Sequence, residues 1–315
     1  MADGQTACPN TALDVTVLMG GPSSEREISL LSGEAIAEGL STAGHNVTPA
    51  DITPQNLSAL DREGIDVVFI ALHGEFGESG EVQALCEKKG LRYTGSDERA
   101  SRIGMDKAAA KQIFKRAGLV TPDWMIIEEF HQFTQVTGWL DELPLPVILK
   151  PVDGGSSIDI TIARSCEQRD ATLEFLVDTY GRAMLERFVP GREFTVSILG
   201  EEALPVVEIV PGREFYDYES KYSDDAGTRY VFDHGLDAGT VKRLQADALE
   251  AHRAIGCRDM SRLDFILDAE GTPNVLEINT IPGFTSHSLL PKAANRAGIS
   301  FTQLVDRLAG MAMQR

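Results

Sequence analysis

A short apolar run that passes into two glycines and then into a helical pattern constrains the fold of this chain most. Residues 15–21 are VTVLMGG, and apolar residues recur at helical spacing from Ile28 onward. Strand, glycine turn and helix in this order are typical of the first layer of an open α/β sheet. We expect the helix to begin at Ser24, because Glu27 stands three residues later as in a capping box. The G-x-G-x-x-G fingerprint is absent, which disfavours a dinucleotide-binding domain.

A second apolar strand is predicted at residues 67–72, and it ends in His73 and Gly74. Ligand sites in open α/β sheets lie at the carboxyl ends of the strands. The polar residues 23–25 follow the first strand in the same way. Both polar clusters are therefore expected at the edge of the sheet where ligands bind.

The charge and cysteine content exclude several classes of protein. The net charge is −19, so the chain would repel nucleic acids and anionic membrane surfaces. Its four cysteines are scattered, which is typical of free thiols in a reducing cytoplasm. No apolar run approaches the roughly 20 residues of a membrane span. Residues 1–12 lack the pattern of a signal peptide, so we expect a flexible tail in a cytoplasmic protein.

The length of 315 residues suggests two or three domains. The pattern of predicted strands and helices changes near residue 100 and again after the predicted strand 183–186. We place a domain boundary at each of these positions. We predict an N-terminal α/β substrate domain at 13–100, a central domain at 101–186 and a C-terminal domain at 187–315.

Two alternating runs around Gly271 predict a β-hairpin. If its turn centres on Glu270 and Gly271, Asp264 lies opposite Glu277. Because side chains alternate along a strand, Arg262, Asp264, Glu277 and Asn279 would then share one face. Opposed carboxylates repel unless a cation joins them, and these oxygen donors suit magnesium. The alternative is a solvated polar face with an ordinary Arg–Asp pair.

Two glycine-led loops are further candidates. Residues 150–157 follow a predicted strand and could bind phosphate through Lys150 and backbone amides, although the P-loop order is missing. Residues 282–288 could present an amide and hydroxyls to a small zwitterion. Each could equally be an ordinary turn, and on their own His73 and His287 favour structural roles.

Taken in order, these motifs resemble the ATP-grasp superfamily and, within it, the D-alanine:D-alanine ligases. The resemblance extends from Val15 almost to the end. It rests on GGPSSERE at 20–27, LHG at 72–74, YTGS at 93–96, MDK at 105–107, KP at 150–151, GSS at 155–157, GREFTV at 191–196, YDYESKY at 216–222, EINT at 277–280 and PGFTSHSL at 282–289. It implies a three-domain ATP-grasp fold with an N-terminal Rossmann-like domain, and ATP between the central and C-terminal domains.

The resemblance also implies roles for individual residues toward ATP and metal. The ATP-binding residues would be Lys107, Lys150, Ser156, Glu186, Arg187, Val189, Glu193 and Lys221. Two Mg²⁺ ions, or Mn²⁺ in their place, would be held by Asp264, Glu277 and Asn279.

The implied reaction joins two D-alanines through a D-alanyl phosphate, for peptidoglycan precursor synthesis. Glu25 would hold the first ammonium group near His73, and Ser288 and Leu289 the second carboxylate. Arg262 and the amide of Gly283 would form an oxyanion hole. Glu25, Ser156 and Tyr222 would form a hydrogen-bonded triad that closes a loop over the site. A homodimer is also implied.

Several positions depart from the family pattern. Asp159 stands where a glycine lets the loop approach phosphate, Arg187 replaces a common lysine, and residues 232–235 replace a usual proline–alanine pair. Two alternatives follow: an ATP-grasp ligase with other substrates, such as a D-alanine:D-lactate ligase, or an ATP-binding pseudoenzyme. Tyr222 and the loop at 286–288 favour the dipeptide ligase, and we expect His234 to lie outside the pocket. The retained metal-ligand pattern disfavours the pseudoenzyme.

Overall fold

A computed structural model describes residues 12–128, 143–154, 158–212 and 227–315. Three sheets are present in these ranges. Element numbers below count the helices and strands of these ranges only. No helix among the described residues is long and apolar enough to cross a membrane.

The first sheet is parallel, with strand order β2-β1-β3. Its strands, helices and one short 3-10 helix are β1 (Asp14–Gly20), α1 (Arg26–Thr42), β2 (Asn46–Ile52), the 3-10 helix (Ser58–Asp61), β3 (Val67–Ile70) and α2 (Glu81–Lys89). Every residue of β3 is apolar and buried, as is typical of a strand in a parallel sheet whose two faces are both covered. A parallel bridge between Val68 and Tyr93 extends this sheet.

The predicted capping box at the start of α1 is wrong. The N-cap is Glu25, and its side chain makes no capping hydrogen bond. Ser23 organises this turn instead: its hydroxyl accepts from the Glu25 N–H at 3.2 Å and donates to the His73 carbonyl at 2.7 Å. The serine thus ties the helix start to the end of β3, which places Glu25 beside His73.

The second sheet is antiparallel, with order β4-β7-β5-β6. It and the preceding helices comprise α3 (Glu98–Met105), α4 (Lys107–Arg116), β4 (Trp124–Ile127), β5 (Val147–Pro151), β6 (Thr161–Ala163), α5 (Cys166–Tyr180) and β7 (Ala183–Arg187). Leu173 and Leu176 of α5 are buried against β5 and β7. Gly118 follows the end of α4 with a positive φ of 79°, which glycine adopts most readily.

The third sheet has order β11-β10-β8-β12-β13, and β9 pairs with β8. Its region comprises β8 (Gly191–Leu199), β9 (Glu202–Ala203), β10 (Val207–Val210), β11 (Arg229–Val231), α6 (Ala238–Ile255), β12 (Met260–Asp268), β13 (Pro273–Asn279), α7 (Leu289–Arg296) and α8 (Phe301–Met313).

The predicted hairpin is confirmed at the positions that carry chemistry. Asp264 pairs with Glu277, and Arg262 pairs with Asn279. The register then shifts beyond Asp264, so that Phe265 pairs with Val275. A bulge of this kind places one extra residue on one strand and bends it.

The last two helices pack against the first sheet. Leu304 and Leu308 of α8 and Leu290 of α7 are fully buried in the same apolar cluster as Val15 and Phe69. Residues from both ends of the described chain therefore share one core, and the loop between β13 and α7 lies against the end of β3.

Candidate active site

Three adjoining cavities lie between the sheets. The inner cavity, of about 100 Å³, is lined by residues including Glu25, His73, Arg262 and Gly283. The central cleft, of about 920 Å³, is lined by residues including Glu25, Lys107, Lys150 and Arg182. The strand cavity, of about 130 Å³, is lined by residues including Ile148, Glu186 and Ile266. Glu277 lines all three, so they meet at one carboxylate.

The inner cavity combines buried acids with an arginine. Arg262 donates two hydrogen bonds to Asp264, at 3.0 and 2.7 Å, and Thr195 donates a third at 2.6 Å. These contacts fix Asp264 between the inner and strand cavities. The bidentate geometry holds the guanidinium of Arg262 in one orientation at the cavity wall.

Glu25, His73 and Glu78 form a buried polar group at one end of the inner cavity. Burial raises the pKa of Glu78 to about 8, and the nearby Glu25 acts in the same direction. Its carboxyl accepts from the Gly74 N–H at 2.9 Å. Burial lowers the pKa of His73, whose Nε2 lies 3.2 Å from the Ser32 hydroxyl. Glu78 and His73 are therefore mainly neutral at pH 7.

The loop after β13 forms the opposite wall of the inner cavity. The Ser288 hydroxyl accepts from the Thr285 N–H at 3.0 Å and lies 2.9 Å from the Thr285 hydroxyl. A Cβ built at Gly283 would lie 2.6 Å from the Ser288 Oγ. Glycine at 283 therefore lets the loop close tightly around Ser288.

The central cleft is lined by basic residues, among them Lys107, Lys150 and Arg182, together with several acids. The Lys107 ammonium donates to the Gly154 carbonyl. Arg182 bridges two acids, with 3.0 Å to Asp106 and 2.7 Å to Asp153. Arg182 therefore ties the start of α4, which carries Lys107, to the loop that carries Gly154.

The strand cavity combines apolar side chains, such as Ile148 and Ile266, with charged ones, among them the buried Glu186. Glu186 contacts Lys150 at 3.0 Å and Lys111 at 2.6 Å. Burial alone would raise the pKa of Glu186, but Lys150 and Lys111 hold it below its usual range. Apolar side chains around an ionic edge suit a planar heterocycle with polar edges.

The donors available for a metal ion are two carboxylates and an amide. Within the described ranges, no group of three or more His, Cys, Asp or Glu could hold a metal. Asp264 and Glu277 are paired across β12 and β13, and the Asn279 Oδ1 accepts from the Ile281 N–H at 2.8 Å. Oxygen donors of this kind fit Mg²⁺, whose remaining positions phosphate oxygens and waters can fill.

Asp159 itself lines none of the three cavities, but its partner, Tyr180, lines the central cleft. The φ of Asp159 is 54°, in the left-handed region that glycine adopts most readily. Its carboxylate is exposed and accepts a hydrogen bond from the Tyr180 hydroxyl.

Every described residue that the sequence predicted for the site lines at least one of the three cavities. These are Glu25, His73, Lys107, Lys150, Glu186, Arg187, Val189, Glu193, Arg262, Asp264, Glu277, Asn279, Gly283, Ser288 and Leu289. The predictions for Ser156, Lys221 and Tyr222 lie outside the described residues. His234 lines none of the cavities, as predicted, and its ring packs edge-on against Phe194 with centroids 5.6 Å apart.

Sequence reasoning missed Glu78, Lys111 and Arg182. Glu78 follows the predicted polar strand end by a few residues, which was the one available signal. Lys111 lies on α4 one turn after Lys107, and Arg182 precedes the predicted strand 183–186. Their partners are distant in sequence, so no local pattern marks them.

A parallel α/β layer beside two antiparallel sheets, with lysines around a cleft between them, defines the ATP-grasp class of fold. Family models agree: the "D-ala D-ala ligase C-terminus" matches residues 113–310, and the "D-ala D-ala ligase N-terminus" matches residues 56–96.

Individual relatives match along nearly the whole chain. A D-alanine–D-alanine ligase of Gloeobacter violaceus is 42% identical over 295 residues, covering 93% of this chain and 97% of that protein. The crystal structure of D-alanine–D-alanine ligase from Bacillus anthracis has a TM-score of 0.85 at 34% identity, covering 96% of this chain and 98% of that one. The same enzyme complexed with ATP has a TM-score of 0.83 at 32% identity, with the same coverage. The VanG D-Ala:D-Ser ligase from Enterococcus faecalis has a TM-score of 0.84 at 28% identity, covering 96% of this chain and 100% of that one.

The chain belongs to the D-alanine–D-alanine ligase family.

Proposed function

We propose that this protein is an ATP-dependent ligase that joins two D-alanines through a D-alanyl phosphate. The observation that carries the proposal is the position of Glu277, which lines all three cavities. A cavity with apolar walls for a base, a cleft with lysines for phosphates and a small polar cavity for an amino acid then adjoin at one carboxylate.

The nucleotide would occupy the strand cavity and the central cleft. Glu186 and the backbone near Arg187 and Val189 would hold the adenine, and Glu193 the ribose. Lys107 and Lys150 would neutralise phosphate charge. Ser156 and Lys221, outside the described residues, are proposed to contact phosphate as well.

Asp264, Glu277 and Asn279 would hold two Mg²⁺ ions, or Mn²⁺ in their place. When bound, these ions would neutralise the charge of the phosphate oxygens. The carboxylate of the first D-alanine would attack the γ-phosphate of ATP and release ADP. In the central cleft, Lys107 and Lys150 would stabilise the charge that spreads over the transferring phosphoryl group.

The amine of the second D-alanine would then attack the acyl carbon and displace phosphate. Arg262 and the Gly283 N–H would stabilise the tetrahedral oxyanion. Glu25 would hold the first ammonium group beside His73. Ser288 and Leu289, at the start of α7, would hold the second carboxylate, since anions bind favourably at helix N-termini.

The choice of second substrate is tested by product analysis. With ATP and equal D-alanine and D-lactate, D-alanyl-D-alanine should predominate from pH 6 to pH 9. Tyr222 is proposed to complete the triad with Glu25 and Ser156. A free tyrosine phenol has a pKa of about 10 and is uncharged at neutral pH. Phosphate release with D-alanine, D-lactate, D-serine and L-alanine in turn tests the activity itself. Ester as the main product at pH 6–7 would contradict the dipeptide assignment.

The cellular setting follows from this reaction. We propose that the product enters peptidoglycan precursor synthesis in the cytoplasm and that the enzyme is a homodimer. The proposed domains remain 13–100, 101–186 and 187–315, with the last two helices of the chain packed on the N-terminal sheet.

A further inference from the structure

Lys111 is a fully buried cation that lines none of the three cavities. Its ammonium lies 2.6 Å from the Glu186 Oε2 and donates to the Thr121 hydroxyl at 2.6 Å. It also lies 5.2 Å from the centre of the Trp124 ring. Thr121 in turn donates to the Val275 carbonyl at 2.7 Å. Lys111 is thus held in place from several sides.

Lys150 is the second cation on Glu186, and its position differs. Its ammonium lies 3.0 Å from the Glu186 Oε1, and it lines both the central cleft and the strand cavity. One oxygen of Glu186 is therefore paired with an enclosed lysine, and the other with a lysine that faces the cleft.

The charges explain why two lysines are needed. A buried carboxylate that loses its only counter-ion is strongly destabilised. If Lys150 were the only partner of Glu186, moving its ammonium toward a phosphate would leave Glu186 uncompensated. With Lys111 in place, Glu186 remains paired when Lys150 moves.

We propose that Lys111 is a positioning residue, a fixed counter-ion for Glu186 that frees Lys150 to bind nucleotide phosphate. This proposal rests on the ATP-dependent function proposed above. Lys111 itself would touch neither adenine nor phosphate, because it lies behind Glu186.

The test separates phosphate binding from adenine binding. In Lys111→Met, Lys150 should stay on Glu186, so that the affinity for ATP falls more than the affinity for adenosine. The ratio of the adenosine Kd to the ATP Kd, measured by calorimetry on the full chain, should fall by about tenfold. A purely structural role would weaken both ligands alike and leave the ratio unchanged.

Lys115→Met is the matched control. Lys115 lies one turn further along α4, 4.9 Å from the same Trp124 ring, but it is half exposed and pairs with Asp123 at 3.1 Å. Its loss should leave the ratio unchanged. An equal fall in both variants, or no fall in Lys111→Met, would overturn the role of Lys111.

A second comparison applies even if Lys111→Met does not fold. Glu186→Gln removes the carboxylate that Lys111 is proposed to neutralise. Glu186→Gln and Lys111→Met/Glu186→Gln should therefore give the same ratio of the adenosine Kd to the ATP Kd. A further fall in Lys111→Met/Glu186→Gln would mean that Lys111 acts on the phosphates directly and would overturn the proposal. Wild-type protein that binds ATP no more tightly than adenosine would instead contradict the proposed function itself.

Discussion

Burial in the inner cavity raises the pKa of the Glu78 carboxyl to about 8, and the neighbouring Glu25 acts in the same direction. A neutral Glu78 adds no second negative charge beside the ammonium group that Glu25 is proposed to hold.

Glu78→Gln tests this charge assignment through stability. A carboxyl with a raised folded-state pKa stabilises the fold fully below its unfolded pKa, and this contribution is lost as pH rises toward about 8. Gln mimics the neutral acid and does not titrate. The unfolding free energy of the variant relative to wild type should therefore increase from pH 5 to pH 8, by up to about 1.4 kcal/mol per pH unit. Denaturant unfolding at several pH values measures it, and a constant difference would show that Glu78 is ionised when folded.

Glu277→Ala should abolish turnover while leaving the fold largely intact. It removes a proposed magnesium ligand at the point where all three cavities meet. We expect phosphate release to fall by at least about 100-fold. Glu270→Ala, an exposed change in the turn of the same hairpin, is the control and should retain activity. Normal turnover in Glu277→Ala at ordinary magnesium would refute the metal assignment.

Asp159→Gly should change the KM for ATP little, although the family pattern has a glycine here, because Asp159 itself lines none of the three cavities. The structure pairs the exposed Asp159 carboxylate with the Tyr180 hydroxyl. Steady-state kinetics of Asp159→Gly and Tyr180→Phe test this pairing. A marked fall in KM for ATP in Asp159→Gly alone would mean that the carboxylate does oppose phosphate.

At the scale of elements, local periodicity in the sequence predicts the pairing of strands within a hairpin. Contacts between segments that are far apart in the chain cannot be predicted in this way. The β12–β13 register follows from two-residue periodicity, so the pairing of Asp264 with Glu277 could be predicted. The shift beyond Asp264 could not, because a bulge depends on packing against neighbouring strands. The bridge from Arg182 to Asp106 joins residues 76 apart in the chain, for which a single sequence gives no signal. Ser23 likewise replaces the predicted cap because its partner, His73, lies 50 residues further along the chain, in the segment after β3.

Arg182→Gln tests that bridge. Without the guanidinium, the start of α4 and the loop at Gly154 lose their common anchor, and Lys107 is held less well. We expect a several-fold rise in KM for ATP with a smaller change in KM for D-alanine. Arg102→Gln, which lines the same cleft and pairs with Glu98 on its own helix, is the matched control. Equal effects of both changes would indicate loss of general positive charge instead.

At the scale of the whole molecule, the ordering of the site depends on a core shared between distant segments. Phe284, in the loop that forms one wall of the inner cavity, packs edge-on against Phe69 of β3 with ring centroids 5.7 Å apart. The same cluster contains Leu304 and Leu308 of α8. The loop after β13 is thus held between the first sheet and the last helix.

This shared core has a consequence for the order of synthesis. A ribosome delivers β1 and β3 long before α7 and α8, so the first sheet emerges with one apolar face uncovered. The nascent chain should remain a substrate for chaperones until its last helices leave the exit tunnel. A fragment that ends before residue 289 should bind a hydrophobic dye and be cleaved rapidly by protease, and adding residues 289–315 as a separate peptide should restore protection. A fragment that is protected without that peptide would show that the first sheet completes its fold while translation continues.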